Sequence, residues 1–210
     1  MRFHELRHQM LEVVRKLCED GLIRLSAGNI SARTEGGLIA ITPSGLPYDR
    51  MRPEDIVVID PKGRLVDGRN KPSSETPMHT VILRRMPDVG AVVHTHSPYA
   101  IAFACTGCEL PVICTELLAI GGPVPVAPYA CPGSAQAGQM VVDTYASRPG
   151  LKCLLLRNHG SVAIGANLNE AYQNAYKLEM GAQVYHLALQ SGRSPILLTN
   201  EQIRSAQHRE

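Results

Sequence analysis

Four side chains in this sequence have the types and spacing that chemistry requires. His94 and His96 stand two apart in Val-Val-His-Thr-His-Ser (92–97). Alternate side chains of a strand share a face, so both imidazoles can point at one spot. Zinc accepts imidazole nitrogen, and two ligands from one rigid strand set much of its geometry. A catalytic metal also wants a third protein ligand and an open position. His159, in the turn Asn158-His159-Gly160 after an apolar run, is the candidate, because functional residues project where strands feed into turns. The fourth side chain is Glu75, a carboxylate able to move protons. Each has a plainer reading. An HxH pair also occurs as two half-exposed histidines, and a glutamate at a helix start is favoured by the helix dipole. His79 follows Glu75 by one turn, while His4, His8, His186 and His208 lie in expected helices or near the termini.

The elements that must position these residues are legible from periodicity and turn residues. Leu6, Met10, Val13, Val14 and Leu17 recur at helical spacing and predict a helix from Glu5 to Asp20, capped by Gly21. From Asn29 to Asp60 the texture is strand and turn, with strands expected at Leu38 to Thr42 and Ile56 to Asp60. A helix from Glu75 to Arg85 follows, N-capped by Ser73 or Ser74. Val89 to Thr95 reads as a strand, Pro98 to Ala104 as a short helix, and Pro111 to Cys114 and Val124 to Ala127 as further strands. A helix from Ala135 to Ser147 leads to strands at Cys153 to Arg157 and Ser161 to Ile164. The longest helix runs from about Asn169 to Gln190, on a stripe of Leu168, Ala171, Ala175, Leu178, Ala182, Tyr185 and Leu189. Strands and helices interleave irregularly, which predicts an α/β domain with a mixed or antiparallel central sheet.

Composition narrows the function classes. The 210 residues suit one domain with a substantial core, spanning 1–210. Net charge is +2, from 21 basic and 19 acidic residues without a one-sign run, so the basic stripe of a nucleic-acid binder is missing. No apolar stretch approaches the ~20 residues of a membrane helix, and the N-terminus reads as neither signal nor transit peptide. A cytoplasmic protein with no membrane or nucleic-acid partner is expected. The six cysteines fit that compartment as thiols. Cys105 and Cys108 form a lone CxxC without a second pair, and are expected to be buried or incidental. No phosphate-binding GxxxxGK[ST] or GxGxxG is present.

Six segments in order resemble the class II aldolase/adducin family. They are Ser-Ala-Gly-Asn-Ile-Ser (26–31), Ile-Thr-Pro-Ser-Gly-Leu-Pro-Tyr (41–48), Lys-Pro-Ser-Ser-Glu (71–75), Val-Val-His-Thr-His-Ser (92–97), Pro-Val-Ala-Pro-Tyr (125–129) and Leu-Arg-Asn-His-Gly (156–160). The similarity runs in register from about residue 5 to residue 203. It implies one α/β domain with a mostly antiparallel sheet flanked by helices, and a homotetramer with active sites at subunit interfaces. His94, His96 and His159 match the family's metal ligands, with zinc expected first and manganese or cobalt as alternatives. Glu75 matches its acid/base carboxylate, which also binds the metal when substrate is absent. Gly28, Asn29, Ser44, Gly45, Ser73 and Ser74 match the loops that hold a sugar phosphate. Glycine permits close backbone approach, and neutral donors with a helix N-terminus suit an anion.

The activity so implied is reversible cleavage of a ketose 1-phosphate to dihydroxyacetone phosphate and an aldehyde, through a metal-stabilised enediolate. The substrate would be L-fuculose 1-phosphate or a 5-deoxy or 5-methylthio pentulose 1-phosphate. Thr115 and Pro132 replace aromatic residues expected on the aldehyde side, and the family's tyrosine-bearing C-terminal tail is absent or shortened. Glu116 falls where related methylthioribulose-1-phosphate dehydratases carry a catalytic glutamate, so a dehydratase on the same metal is the nearest alternative. The plain reading of Glu116 is a first-turn glutamate of the helix before Gly121-Gly122. A non-catalytic adducin-like binding module is the second alternative.

Overall fold

In the computed structural model, which describes residues 2–207, eight strands form one sheet. The strands are β1 (Asn29–Arg33), β2 (Ile39–Ile41), β3 (Val57–Ile59), β4 (Leu65–Asp67), β5 (Ala91–Thr95), β6 (Val126–Ala127), β7 (Cys153–Leu156) and β8 (Gly160–Gly165). Their order is β4-β3-β2-β1-β5-β8-β7-β6, with every neighbouring pair antiparallel except β6 and β7. The helices are α1 (His4–Glu19), α2 (Thr76–Arg85), α3 (Pro98–Thr106), α4 (Thr115–Ala119), α5 (Ala135–Ala146), α6 (Leu168–Gln190) and α7 (Asn200–Gln207). The expected domain limits at 1 and 210, and His208, lie outside the described residues.

Strand alternation divides the core into two layers. Ile30, Ala32, Ala91, Val93, Leu155 and Ala163 pack with α1, α3, α4 and α6. The residues of opposite parity, among them Ile39, Ile41, Val92, Leu154, Leu156 and Val162, pack with α2 and α5. Asn29, Ser31 and His94 share that second parity, so the strands carry them on the α2 side. The fold is therefore the expected α/β arrangement, a mostly antiparallel sheet between helix layers. Among the described residues, no helix is long and apolar enough to cross a membrane.

Several local expectations change. Pro111 to Cys114 is not a strand: Leu110 makes an isolated bridge to Val124, and Pro111 has no N–H to continue a ladder. The strand β1, the short edge strand β4 and the C-terminal α7 have no counterpart among the expected strands and helices. Leu189 of the α6 stripe is exposed rather than buried, because the helix outruns the core at that end. Neither Ser73 nor Ser74 caps α2; Glu75 occupies the N-cap position, and the Ser73 hydroxyl accepts the Glu75 N–H at 3.2 Å. Of the six free cysteines only Cys153 is buried, so burial does not hold for the exposed Cys105 and Cys108.

Candidate metal and phosphate site

The site is assembled where β5, β8, β1 and the start of α2 meet. His94 pairs in register with Val162 of β8 on one side and Asn29 of β1 on the other. The β7–β8 turn brings His159 to the same place. Asn158 adopts a left-handed φ of 55°, which asparagine tolerates. Gly160 then lies so close to β5 that a Cβ would stand 2.3 Å from the Thr95 carbonyl oxygen and 3.1 Å from both the His94 and His96 rings. Only glycine allows this approach.

The three imidazoles converge. His94 Nε2 lies 2.9 Å from His96 Nε2, and ring centroids are separated by 4.7 Å for His94–His159 and 5.1 Å for His96–His159. One ligand atom from each residue falls within 4.8 Å of the others. His94 is buried, and His96 and His159 open toward solvent. The α2 N-terminus delivers Glu75, whose Oε2 is 3.0 Å from His94 Nε2 and Oε1 3.2 Å from His159 Nε2. The Glu75 side chain makes no capping hydrogen bond. Its carboxylate turns away from the helix end and toward the histidines, which sets aside the helix-capping reading.

Proton bookkeeping shows that this cluster fits a cation. His94 Nδ1 donates to the Ser161 carbonyl at 2.9 Å, since a carbonyl can only accept. In the neutral ring Nε2 therefore carries a lone pair, and it faces Glu75 Oε2 and His96 Nε2. Glu75 Oε2 is one of two buried side-chain polar atoms, among the described residues, that lack a hydrogen bond. Leaving such an atom unmatched costs about 1–3 kcal/mol, more when it is charged. A divalent cation removes the mismatch, and the backbone partner on Nδ1 is the usual orienting contact of a metal-bound histidine.

Electrostatics agree. Burial raises the Glu75 pKa, but His159 and His94 outweigh it, first through the His159 hydrogen bond, and hold the carboxyl below the usual carboxylate range. Burial, with the neighbouring His94 and His159, lowers His96 to about 4. Neutral imidazoles and an ionised carboxylate are the ligand forms a metal needs.

The three glycine- and serine-bearing segments meet beside this cluster. Gly28 and Asn29 lead into β1 against His94. Thr42 ties the segments together: its hydroxyl accepts the Ile30 N–H at 3.2 Å and its carbonyl the Ser73 N–H at 3.1 Å. The Ser44 N–H donates to the Lys71 carbonyl at 2.9 Å. The buried Tyr48 hydroxyl donates to the Gly28 carbonyl at 2.5 Å. Asn29 and Ser73 are buried, whereas Ser44, Gly45 and Ser74 are exposed. Periodicity did not single out Thr42 or Tyr48, although both lie within the segment 41–48. Glu179 of α6 adds a further support, accepting the N–H groups of Tyr99 and Ala100 at 2.9 and 2.8 Å. It holds the start of α3 directly after His96 and Ser97.

The other expected residues lie elsewhere in the chain. Glu116 is on α4, whose following turn is tied to Lys152 at the start of β7, while His159 follows its end. Among the described residues, no hydrogen bond or ion pair joins Glu116 to the histidines. Its pKa is lowered by its own backbone N–H and by Cys114, with Lys177 nearby. Thr115 opens α4 and Pro132 lies in a turn, both exposed.

The sequence profile of the class II aldolase and adducin N-terminal domain matches residues 8–186. A 5-deoxy-D-ribulose 1-phosphate aldolase of Bacillus thuringiensis serovar kurstaki is 37% identical over 203 residues, covering 96% of this chain and 93% of the relative. A 5-methylthioribulose-1-phosphate/5-deoxyribulose-1-phosphate aldolase of Rhodospirillum rubrum is 39% identical over 200 residues, covering 95% and 88%. A solved L-fuculose 1-phosphate aldolase superposes with a TM-score of 0.90 at 32% identity, covering 97% of this chain and 95% of the other. The chain belongs to the class II aldolase and adducin family.

Proposed function

We propose that this protein is a metal-dependent aldolase that cleaves a ketose 1-phosphate to dihydroxyacetone phosphate and an aldehyde. The observation that carries the reading is the orientation of Glu75. Its carboxylate leaves the helix it opens and faces three convergent histidines, beside segments rich in neutral donors. Relatives named for 5-deoxyribulose and 5-methylthioribulose 1-phosphate favour a 5-deoxy or 5-methylthio pentulose 1-phosphate, with L-fuculose 1-phosphate as the further candidate.

His94, His96, His159 and, before substrate enters, Glu75 would hold one divalent ion, zinc before manganese or cobalt. Bound there, such an ion supplies Lewis-acid stabilisation of negative charge on the substrate oxygens. Asn29, Ser44, Ser73, Ser74 and the backbone at Gly28 and Gly45 would hold the phosphate. They position the scissile bond and leave the reacting carbons toward Glu75. Cleavage between C3 and C4 turns the C4 hydroxyl into the aldehyde carbonyl, its proton passing to solvent, and leaves electron density on C3, where Glu75 delivers a proton; in condensation Glu75 removes the C3 proton and solvent returns one to the C4 oxygen. Displaced from the histidines by substrate, the carboxyl loses the partners that lower its pKa. The remaining burial raises it, making Glu75 a competent acid.

An exposed apolar stripe of Tyr176, Met180, Val184 and Leu187 on α6 supports self-association, which we assign to a homotetramer with active sites at its interfaces. The family's intact histidine and glutamate set favours an enzyme over a binding module. Relatives named as aldolases favour cleavage over dehydration. The test is a panel of ketose 1-phosphates assayed for dihydroxyacetone phosphate. Release of the triose phosphate from a pentulose 1-phosphate is expected. A diketo product with no triose phosphate from any of them would replace the aldolase with a dehydratase.

A further inference from the structure

His79 is the most enclosed histidine outside the metal cluster. It lies one turn along α2 from Glu75, is fully buried, and has both ring nitrogens engaged. Nδ1 is 2.6 Å from the Ser31 hydroxyl and Nε2 is 2.5 Å from Asn29 Oδ1. Asn29 and Ser31 are successive residues on the α2 side of β1, so one imidazole spans both.

The partners decide the proton positions. Asn29 Oδ1 only accepts, so Nε2 carries the proton and donates to it. Nδ1 then has a lone pair and accepts from the Ser31 hydroxyl. Burial, with the nearby His94 opposed by Glu75, lowers the His79 pKa to about 3, which keeps the ring neutral. With Oδ1 committed, the free end of Asn29 is its Nδ2 amide. Among the described residues the only buried side-chain polar atoms without a partner are Arg33 Nε and Glu75 Oε2. Asn29 Nδ2, which donates to no protein acceptor among them, is therefore open to a ligand. The opposite amide orientation would spend Nδ2 on the imidazole and present a carbonyl oxygen to an anion.

We propose that His79 is a positioning residue: through Asn29 Oδ1 it holds the Asn29 amide with its N–H groups directed at the substrate phosphate. Ser31 fixes the tautomer that makes this possible. The relay also couples α2, which carries Glu75, to the β1 end of the phosphate site. The inference rests on the phosphate-binding reading of Asn29, and the test separates the two.

The experiment measures the competitive inhibition constant of inorganic phosphate, with KM and kcat, for wild type, His79→Phe, Asn29→Ala and the double variant. His79→Phe is expected to weaken phosphate binding about 3- to 10-fold, the size of one net hydrogen bond. KM should rise more than kcat falls, with bound metal unchanged. In the Asn29→Ala background the same substitution should add little, because its route is already gone. His79→Gln, which keeps an N–H donor, should recover part of the binding. Equal effects of His79→Phe in both backgrounds, or a fall in kcat with phosphate binding intact, would overturn the relay. Unchanged phosphate binding in Asn29→Ala alone would instead remove Asn29 from the phosphate site. Should His79→Phe fail to fold, Ser31→Ala provides the same double-variant comparison with a smaller expected shift, and additivity there overturns the relay equally.

Discussion

Gly28 lies against the backbone of His94 so closely that a Cβ at residue 28 would stand 2.8 Å from the His94 carbonyl oxygen. The same Cβ would meet Ile23 Cγ2 at 2.8 Å, and Gly28 has a φ of 82°. The Gly28 segment and the histidine-bearing strand are thus one packed unit.

Gly28→Ala is therefore expected to impair both stability and binding. A left-handed φ and a backbone collision at one position together cost about 1–3 kcal/mol. The urea midpoint should fall, and the inhibition constant of inorganic phosphate should rise at least severalfold. A variant indistinguishable from wild type in both measurements would separate this segment from the site.

Glu75→Gln preserves the shape of the side chain and removes its proton chemistry. Metal content, measured by elemental analysis, should persist on the three histidines. Turnover of the ketose 1-phosphate should fall by about 10²–10⁴, the usual contribution of a general acid or base. Turnover at the wild-type rate would take Glu75 out of the mechanism.

Chelation should abolish activity, and zinc, manganese or cobalt should restore it to different degrees. His94→Ala should prevent that restoration, because it removes the buried central imidazole of the cluster. Full activity after exhaustive dialysis against a chelator, with no metal detected, would refute a metal-dependent reaction.

His79 also makes a stability prediction. Its folded pKa is about 3 and the unfolded value is about 6.5. Between those values the unfolded chain binds the extra proton, so stability falls as pH drops from 6.5 toward 3 and levels below it. The full slope is about 1.4 kcal/mol per pH unit. The stability difference between wild type and His79→Gln, from urea unfolding at pH 4.5 to 6.5, should therefore shrink on acidification. A difference independent of pH would mean that His79 titrates normally.

Much of this protein was legible in its residues. Apolar spacing located α1, α2, α5 and α6 to within about two residues, and β5 and β8 likewise, because a helix or strand with one buried face must repeat at 3.6 or 2. It missed β1, β4 and α7, which are short and bury few apolar side chains. It read Pro111 to Cys114 as a strand because an apolar run cannot reveal whether a neighbour will pair with it.

His94 and His96 share a face by strand periodicity alone, so the sequence by itself determined that one strand offers two convergent imidazoles. It also determined that Glu75 opens a helix, and that glycine, serine and asparagine are available to hold an anion. Tertiary structure decided where those residues meet. Only the approach of Gly160 to β5 brings His159 to the other two, and only the meeting of α2 with β1 and β5 turns Glu75 from helix cap to cluster and seats His79 between Asn29 and Ser31. Local sequence sets the face on which a side chain emerges; the distance between residues 29, 75, 94 and 159 is set by packing of elements far apart in the chain.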